Sequence, residues 1–285
     1  MKLLFRLALI PTAATSLIAA STIDYKDHLG LQMWSLRATS KESVPAALDL
    51  AKGYGVKEVE TAGTGNLTVE QFAAELKARG LTAVSAHTGY DAMKKDTAGI
   101  IRDAKILGVQ FVIIPSLPHS KGFTEEDARR FAADFNIFGA ACKAAGLRFG
   151  YHPHGFEFTP TKAGKGEVVF DVLARETNPD LVCFEMDIFW AFHAGQDPAK
   201  LLAKYPTRWP LVHVKDMRKG AVTGLSTGSA PPTDNVTVGT GQLNWPEILR
   251  TAQRIGVQHY FLEDETPTPL QCIPDSLKYL RSLKL

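Results

Sequence analysis

Cysteine is scarce. Cys142, Cys183 and Cys272 are the only three in 285 residues, an odd number without close spacing, which excludes a disulfide framework and a zinc finger. Cys183 lies inside an apolar run and reads as a small core residue; for an exported chain, a bridge between Cys142 and Cys272 stays open. An excess of one charge is lacking as well. The 32 Lys and Arg nearly balance 30 Asp and Glu, for a formal +2, and form no block, so neither nucleic acid nor an anionic membrane has an electrostatic footing. No apolar run beyond the N-terminus is long enough to cross a bilayer. No Gly-x-Gly-x-x-Gly opens a helix after the first strand, and neither a Gly-rich phosphate loop nor an Arg cluster stands at a strand end.

What remains is an ordinary globular composition, 45% apolar and 22% charged, sufficient for one large core. The first twenty residues differ. Lys2 and Arg6 open an apolar stretch through Leu7 and Ile10 that ends in Ala19, Ala20 and Ser21, the order of a secretory signal. The expectation is a signal segment over 1–21, one domain over 22–285, and an exported, periplasmic or secreted protein with no membrane in its mature form.

From residue 29 onward, short apolar runs alternate with helical patterns. Strands are expected at 29–34, 57–60, 81–86, 109–115, 147–151, 181–186, 211–214 and 258–262, where apolar runs are short and bounded by turn residues. Helical spacing predicts helices at 44–54, 69–79, 100–107, 124–145, 167–177, 198–205, 246–255 and 274–283. Gly80, Gly108 and Gly146 stop three of them. Thr124 and Asp127 form a capping box, and Asp197 is placed to cap the helix that follows it. Residues 218–235, rich in Gly, Ser, Thr and Pro, read as a long loop. Eight strand-helix units in strict alternation imply parallel strands and right-handed crossovers, hence an α/β fold, a single (β/α)8 TIM barrel. In such barrels the functional residues sit at the C-terminal ends of the strands.

Four strand ends carry ionisable residues. After strand five come His152, His154 and Glu157; Asp187 follows strand six with Glu185 one layer deeper; His213 and Lys215 share a face of strand seven; Glu263 and Glu265 follow strand eight. Period-two alternation points these inward. Glu157, Asp187, His213 and Glu263 thus arrive from consecutive strands as three carboxylates and one imidazole, a donor set for one divalent ion, Mn²⁺ or Mg²⁺ before Co²⁺ or Zn²⁺. An acidic residue ending a strand is ordinarily a solvated loop charge; four on adjacent strands point to a site. Glu185 reads as a buried partner of Lys215, since an interior charge needs pairing. Lys215 and Asp216 are either an acid and base or an ion pair behind the metal. Gln32, Trp34, Glu60 and His87, from strands one to three, and Trp190 are candidates for holding substrate hydroxyls.

Tyr151-His152-Pro153-His154 through Glu157-Phe158, Met186-Asp187 through Trp190, His213-Val214-Lys215-Asp216-Met217, Gly239-Thr240-Gly241 and Glu263-Asp264 resemble the xylose isomerase-like TIM-barrel superfamily, the sugar phosphate isomerases/epimerases, from about Gly30 to the end. The resemblance implies metal ligands Glu157, Asp187, His213 and Glu263. Many relatives carry their Glu inside strand five, where this chain has Tyr151-His152, so His152 or His154 is the alternative ligand. Trp190 stands where many relatives have His, which separates the chain from the multi-zinc endonuclease branch.

The reaction implied is a metal-dependent isomerisation or epimerisation through an enediolate, with Glu157 and Glu263 as base and acid and His152 or His154 as alternative proton carrier. The expected partner is an unphosphorylated keto-sugar or glycoside, and a homo-oligomer is open. Exported relatives that look like lyases of 3-keto-glycosides give the runner-up, elimination of an aglycone. A sugar-binding barrel without catalysis is the third reading.

Overall fold

A computed structural model describes residues 24–119 and 122–285; the expected signal segment lies outside them. The eight expected strands are all present: β1 Leu29–Gln32, β2 Glu58–Thr61, β3 Thr82–His87, β4 Phe111–Ile114, β5 Arg148–Tyr151, β6 Val182–Asp187, β7 Leu211–Val214 and β8 His259–Leu262. Each pairs in parallel with its neighbours and β1 pairs with both β2 and β8, closing the barrel. The TIM barrel read from the alternation is the fold.

Local chemistry sets the helix boundaries. Thr68 and Gln71 form a reciprocal capping box at the start of Val69–Arg79, and Gly80 ends it with φ 66°, a left-handed geometry that costs glycine little. Thr124 and Asp127 form the expected box on Glu125–Ala144. The last helix starts earlier than its Pro predicts: it runs Pro269–Ser282, with Pro269 in the first turn and Pro274 inside. Three short helices, Arg37–Glu42, Tyr90–Lys95 and Ile188–His193, are too brief to leave a periodic signal. Residues 218–235 are mostly irregular, but Asp216–Met217 and Asn235–Val236 pair antiparallel across them.

The outer faces of the strands pack under the helices in one large apolar cluster. Inside, Val84, Phe111, Ile113, Cys183, Leu211 and Phe261 form a second, separate cluster that fills the barrel's middle. Gly30 makes room for it: a Cβ there would lie 2.6 Å from the Glu58 carbonyl oxygen and 2.8 Å from the Phe261 ring. All three cysteines are free. Cys142 is buried in the helix over β5, whereas Cys272 lies on the last helix, packed near β8, so the Cys142 to Cys272 bridge does not form.

Candidate active site

Above the apolar plug, the C-terminal ends of the strands open into a cavity of about 600 Å³. Trp34, His87, His152, His154, Trp190 and Glu263 are among its walls. Trp34, His87 and Trp190 therefore stand where a substrate would meet them. Gln32 and Glu60 do not; both are fully buried, and Gln32 donates to Glu60 Oε1 at 2.5 Å.

The ionisable side chains lie in two tiers. In the upper tier are Asp187, His213, Lys215 and Glu263. Asp187 ends β6 and caps the next helix, its Oδ1 accepting from the Trp190 N–H at 3.0 Å, which leaves Oδ2 free. That Oδ2 and His213 Nδ1 are both buried without a hydrogen-bond partner. They lie 3.9 Å apart, and Glu263 Oε2 is 3.5 Å from the same Nδ1. His152 Nε2 approaches Asp187 Oδ2 to 3.8 Å. Lys215 Nζ lies 3.1 Å from Glu263 Oε2 and 4.0 Å from Asp187 Oδ2, and also binds Glu265.

The lower tier is Glu60, His87 and Glu185. His213 Nε2 sits 2.6 Å from Glu60 Oε1 and 3.2 Å from Glu185 Oε2; His152 Nδ1 sits 3.0 Å from Glu185 Oε2. A carboxylate only accepts, so these nitrogens carry protons and the opposite ring nitrogens face the upper tier. His87 Nε2 lies 2.9 Å from Glu60 and 3.0 Å from Glu185. Burial opposes charge on all three, yet neighbouring opposite charges keep them ionised: Glu60 and Glu185 raise His87 to about 9, His213 and His152 draw Glu185 down to about 2 against the repulsion of Glu60, and Glu60 falls further in the same direction, drawn down by His87 and His213. In the upper tier burial raises Asp187, while Lys215 above all holds Glu263 well below the carboxylate range against the same burial.

Three expectations change here. Glu157 is not brought to the group. Gly155, with φ 101°, turns the chain so that Glu157 points away from the cavity. Its Oε1 accepts from Tyr151 and, at 3.2 Å, the His154 N–H, and its Oε2 accepts from the Gly155 N–H at 2.8 Å. Burial lifts its carboxyl to about 7 despite those bonds. From the same strand end it is His152 that reaches the group, its Nε2 3.8 Å from Asp187 Oδ2. Glu185 pairs with three imidazoles rather than with Lys215. Asp216 points away from Lys215 into the long loop, where Oδ2 accepts from Gly239 N, Gly241 N and Trp245 Nε1. His154 lines the cavity with its Nδ1 unpartnered, and burial lowers it to about 4. Sequence reasoning missed the tier formed by Glu60, His87 and Glu185; the alternation of Glu185 with Asp187 was the signal available for it.

The family described as xylose isomerase-like TIM barrel matches residues 48–283. The chain belongs to that family. Within it, the chain is similar to inosose dehydratase 1 of Bacillus cereus, 28% identical over 167 residues, covering 56% of this chain and 54% of the relative. The chain thus spans about half the length of that curated relative. A sugar phosphate isomerase/epimerase from Parabacteroides distasonis has 25% identity and a TM-score of 0.73, over 93% of this chain and 99% of its own. The fold is shared with a 3-keto-D-glucoside 4-epimerase from E. coli at 17% identity and a TM-score of 0.63, over 90% of this chain and 99% of that one.

The upper tier of this xylose isomerase-like barrel fits a divalent ion. Asp187, His213 and Glu263 present ligand atoms within 4.8 Å of one another, two of them unpartnered. Asp187 and Glu263 are buried beside Lys215 and His213, and carboxylate oxygen with imidazole nitrogen is a donor set that suits such an ion.

Proposed function

We propose that this chain is a divalent-metal-dependent enzyme that removes the proton next to the carbonyl of an unphosphorylated keto-sugar or related keto-polyol and returns it at the neighbouring carbon or the opposite face. One observation carries this reading: Asp187 Oδ2 and His213 Nδ1, buried and unpartnered, converge with Glu263 and His152 beside an open cavity. An ion held there would supply Lewis-acid stabilisation of the charge that develops when the proton leaves.

The chain's own groups do the rest. His152 Nε2, Asp187, His213 Nδ1 and Glu263 are the groups that would hold the ion. With two imidazoles in place of the expected one, this set favours Mn²⁺, Co²⁺ or Zn²⁺ over Mg²⁺. Glu60 and Glu185 keep both rings in the ligating tautomer. His154, which lines the cavity and has an unpartnered Nδ1, moves the proton, as one of the two histidines expected to do so beside Glu157 and Glu263. Lys215 holds Glu263 and Glu265 in place. Trp34, His87 and Trp190 flank the sugar. Among the described residues lining the cavity there is no Arg or Lys, which disfavours a phosphorylated substrate.

A second reading is favoured by the similarity to an inosose dehydratase: the same proton removal followed by loss of a group beta to the carbonyl. Incubation with keto-sugars and 3-keto-glycosides in D₂O tells the two apart. Deuterium in a recovered isomer supports the first, and a released aglycone or water the second. Asp187→Asn and His213→Asn should lose bound metal and at least about a hundredfold in turnover, beyond what an outer partner costs. Unchanged metal content in both variants, or no exchange with any substrate, would sink the proposal. Export over residues 1–21 stays part of it, checked by N-terminal sequencing of the mature chain.

A further inference from the structure

At the opposite, N-terminal mouth of the barrel, three ligand-type side chains meet from three adjacent strands. His28 immediately precedes β1, Glu58 opens β2 and His259 opens β8. His28 Nδ1 lies 2.9 Å from Glu58 Oε1, and His259 Nδ1 lies 2.7 Å from Glu58 Oε2. The three ligand atoms fall within 4.8 Å of one another, and the imidazoles meet edge to face with centroids 5.2 Å apart.

We propose that His28, Glu58 and His259 form a second cation site, for a borderline divalent ion of the Zn²⁺ or Co²⁺ class, that ties β8, β1 and β2 together where the barrel closes. Two imidazole nitrogens and one carboxylate suit such ions. Two ligands about 2.0–2.1 Å from one ion stand roughly 2.9–3.4 Å apart at angles between square and tetrahedral, and the observed nitrogen-oxygen separations need little adjustment to reach that. Access is graded: the His28 side chain is 36% exposed, Glu58 17% and His259 8%. Solvent thus reaches one side of the cluster and can supply the remaining ligands. On the other side the His259 ring lies parallel to Phe261, with Phe111 against its edge, an apolar backing that strengthens the attraction between ion and carboxylate. With an ion bound, each Nδ1 offers its lone pair and its proton moves to Nε2.

This inference does not rest on the upper site, and the test keeps the two apart. The chelator-stripped full chain is titrated with Zn²⁺ against a competing chelating dye, alongside Asp187→Asn/His213→Asn, His28→Asn and Glu58→Gln. The expected result is two ions on the wild type and one on Asp187→Asn/His213→Asn. Adding His28→Asn or Glu58→Gln to that background should weaken the remaining ion by more than the roughly 100-fold cost of an outer partner. In that same background, Zn²⁺ at a hundredfold excess over its dissociation constant should raise the thermal midpoint by about 5 °C or more, a shift that His28→Asn abolishes. Glu58→Gln keeps the side chain's size and decides the matter should His28→Asn fold poorly. If zinc affinity in the Asp187→Asn/His213→Asn background is the same with and without Glu58→Gln, or no ion binds there at all, the second site does not exist.

Discussion

Glu185 is the residue on which the most contacts of the candidate site converge, since one of its oxygens lies within 3.2 Å of His87, His152 and His213. Charge at that oxygen decides which nitrogen of each ring carries the proton. Glu185→Gln should lower divalent-ion affinity roughly 10–100-fold by chelator competition. Nitrogen chemical shifts of His152 and His213 in the metal-free protein should move toward mixed tautomers, a change that a purely structural role for Glu185 would not produce. At this scale the sequence was legible wherever a residue sits on a strand, because alternation fixes the face: Asp187 and His213 are register partners across β6 and β7. It was illegible one turn past a strand. Glu157 and His152 are both plausible donors by type, and only the turn at Gly155 decides that the imidazole faces the cavity and the carboxylate does not.

Among the elements, the irregular chain between β7 and the helix Trp245–Ile255 depends on one side chain. Asp216 is buried and its two oxygens accept from the N–H groups of Met217, Gly239, Gly241 and Leu243 and from the Trp245 indole. Gly241 has to be glycine to let the carboxylate in, as a Cβ there would lie 2.2 Å from Oδ1. Asp216→Asn turns an NH₂ toward donors and should cost about 2–4 kcal/mol, read by denaturant unfolding, with faster proteolysis within residues 218–231. The loop's composition predicted irregular backbone but not what holds it. Its organising contacts span up to 29 positions in sequence, a separation at which local patterns carry no information. The helices with caps, by contrast, were placed to within a few residues because their start and stop signals are local.

For the whole molecule, eight alternating units were enough to predict a closed barrel, since parallel pairing with right-handed crossovers leaves few other solutions. What alternation could not convey is the vertical order of the interior. The apolar plug occupies the middle, the two ionisable tiers lie above it, and the His28, Glu58 and His259 cluster lies below. That order depends on which residues are small. Gly30→Ala would drive a Cβ against a backbone oxygen that cannot move aside, and should destabilise by about 1–3 kcal/mol. The same change should loosen the seam between β1 and β8, measured as faster amide exchange at Leu29 and Leu31.

The plug of Val84, Phe111, Ile113, Cys183, Leu211 and Phe261 acts as a septum. A tightly packed apolar layer passes neither water nor ions, so the two mouths of the barrel are separate compartments that share walls but not contents. Each can bind, titrate or be emptied on its own account. The chemistry of the upper cavity can thus change without disturbing the clasp at the base.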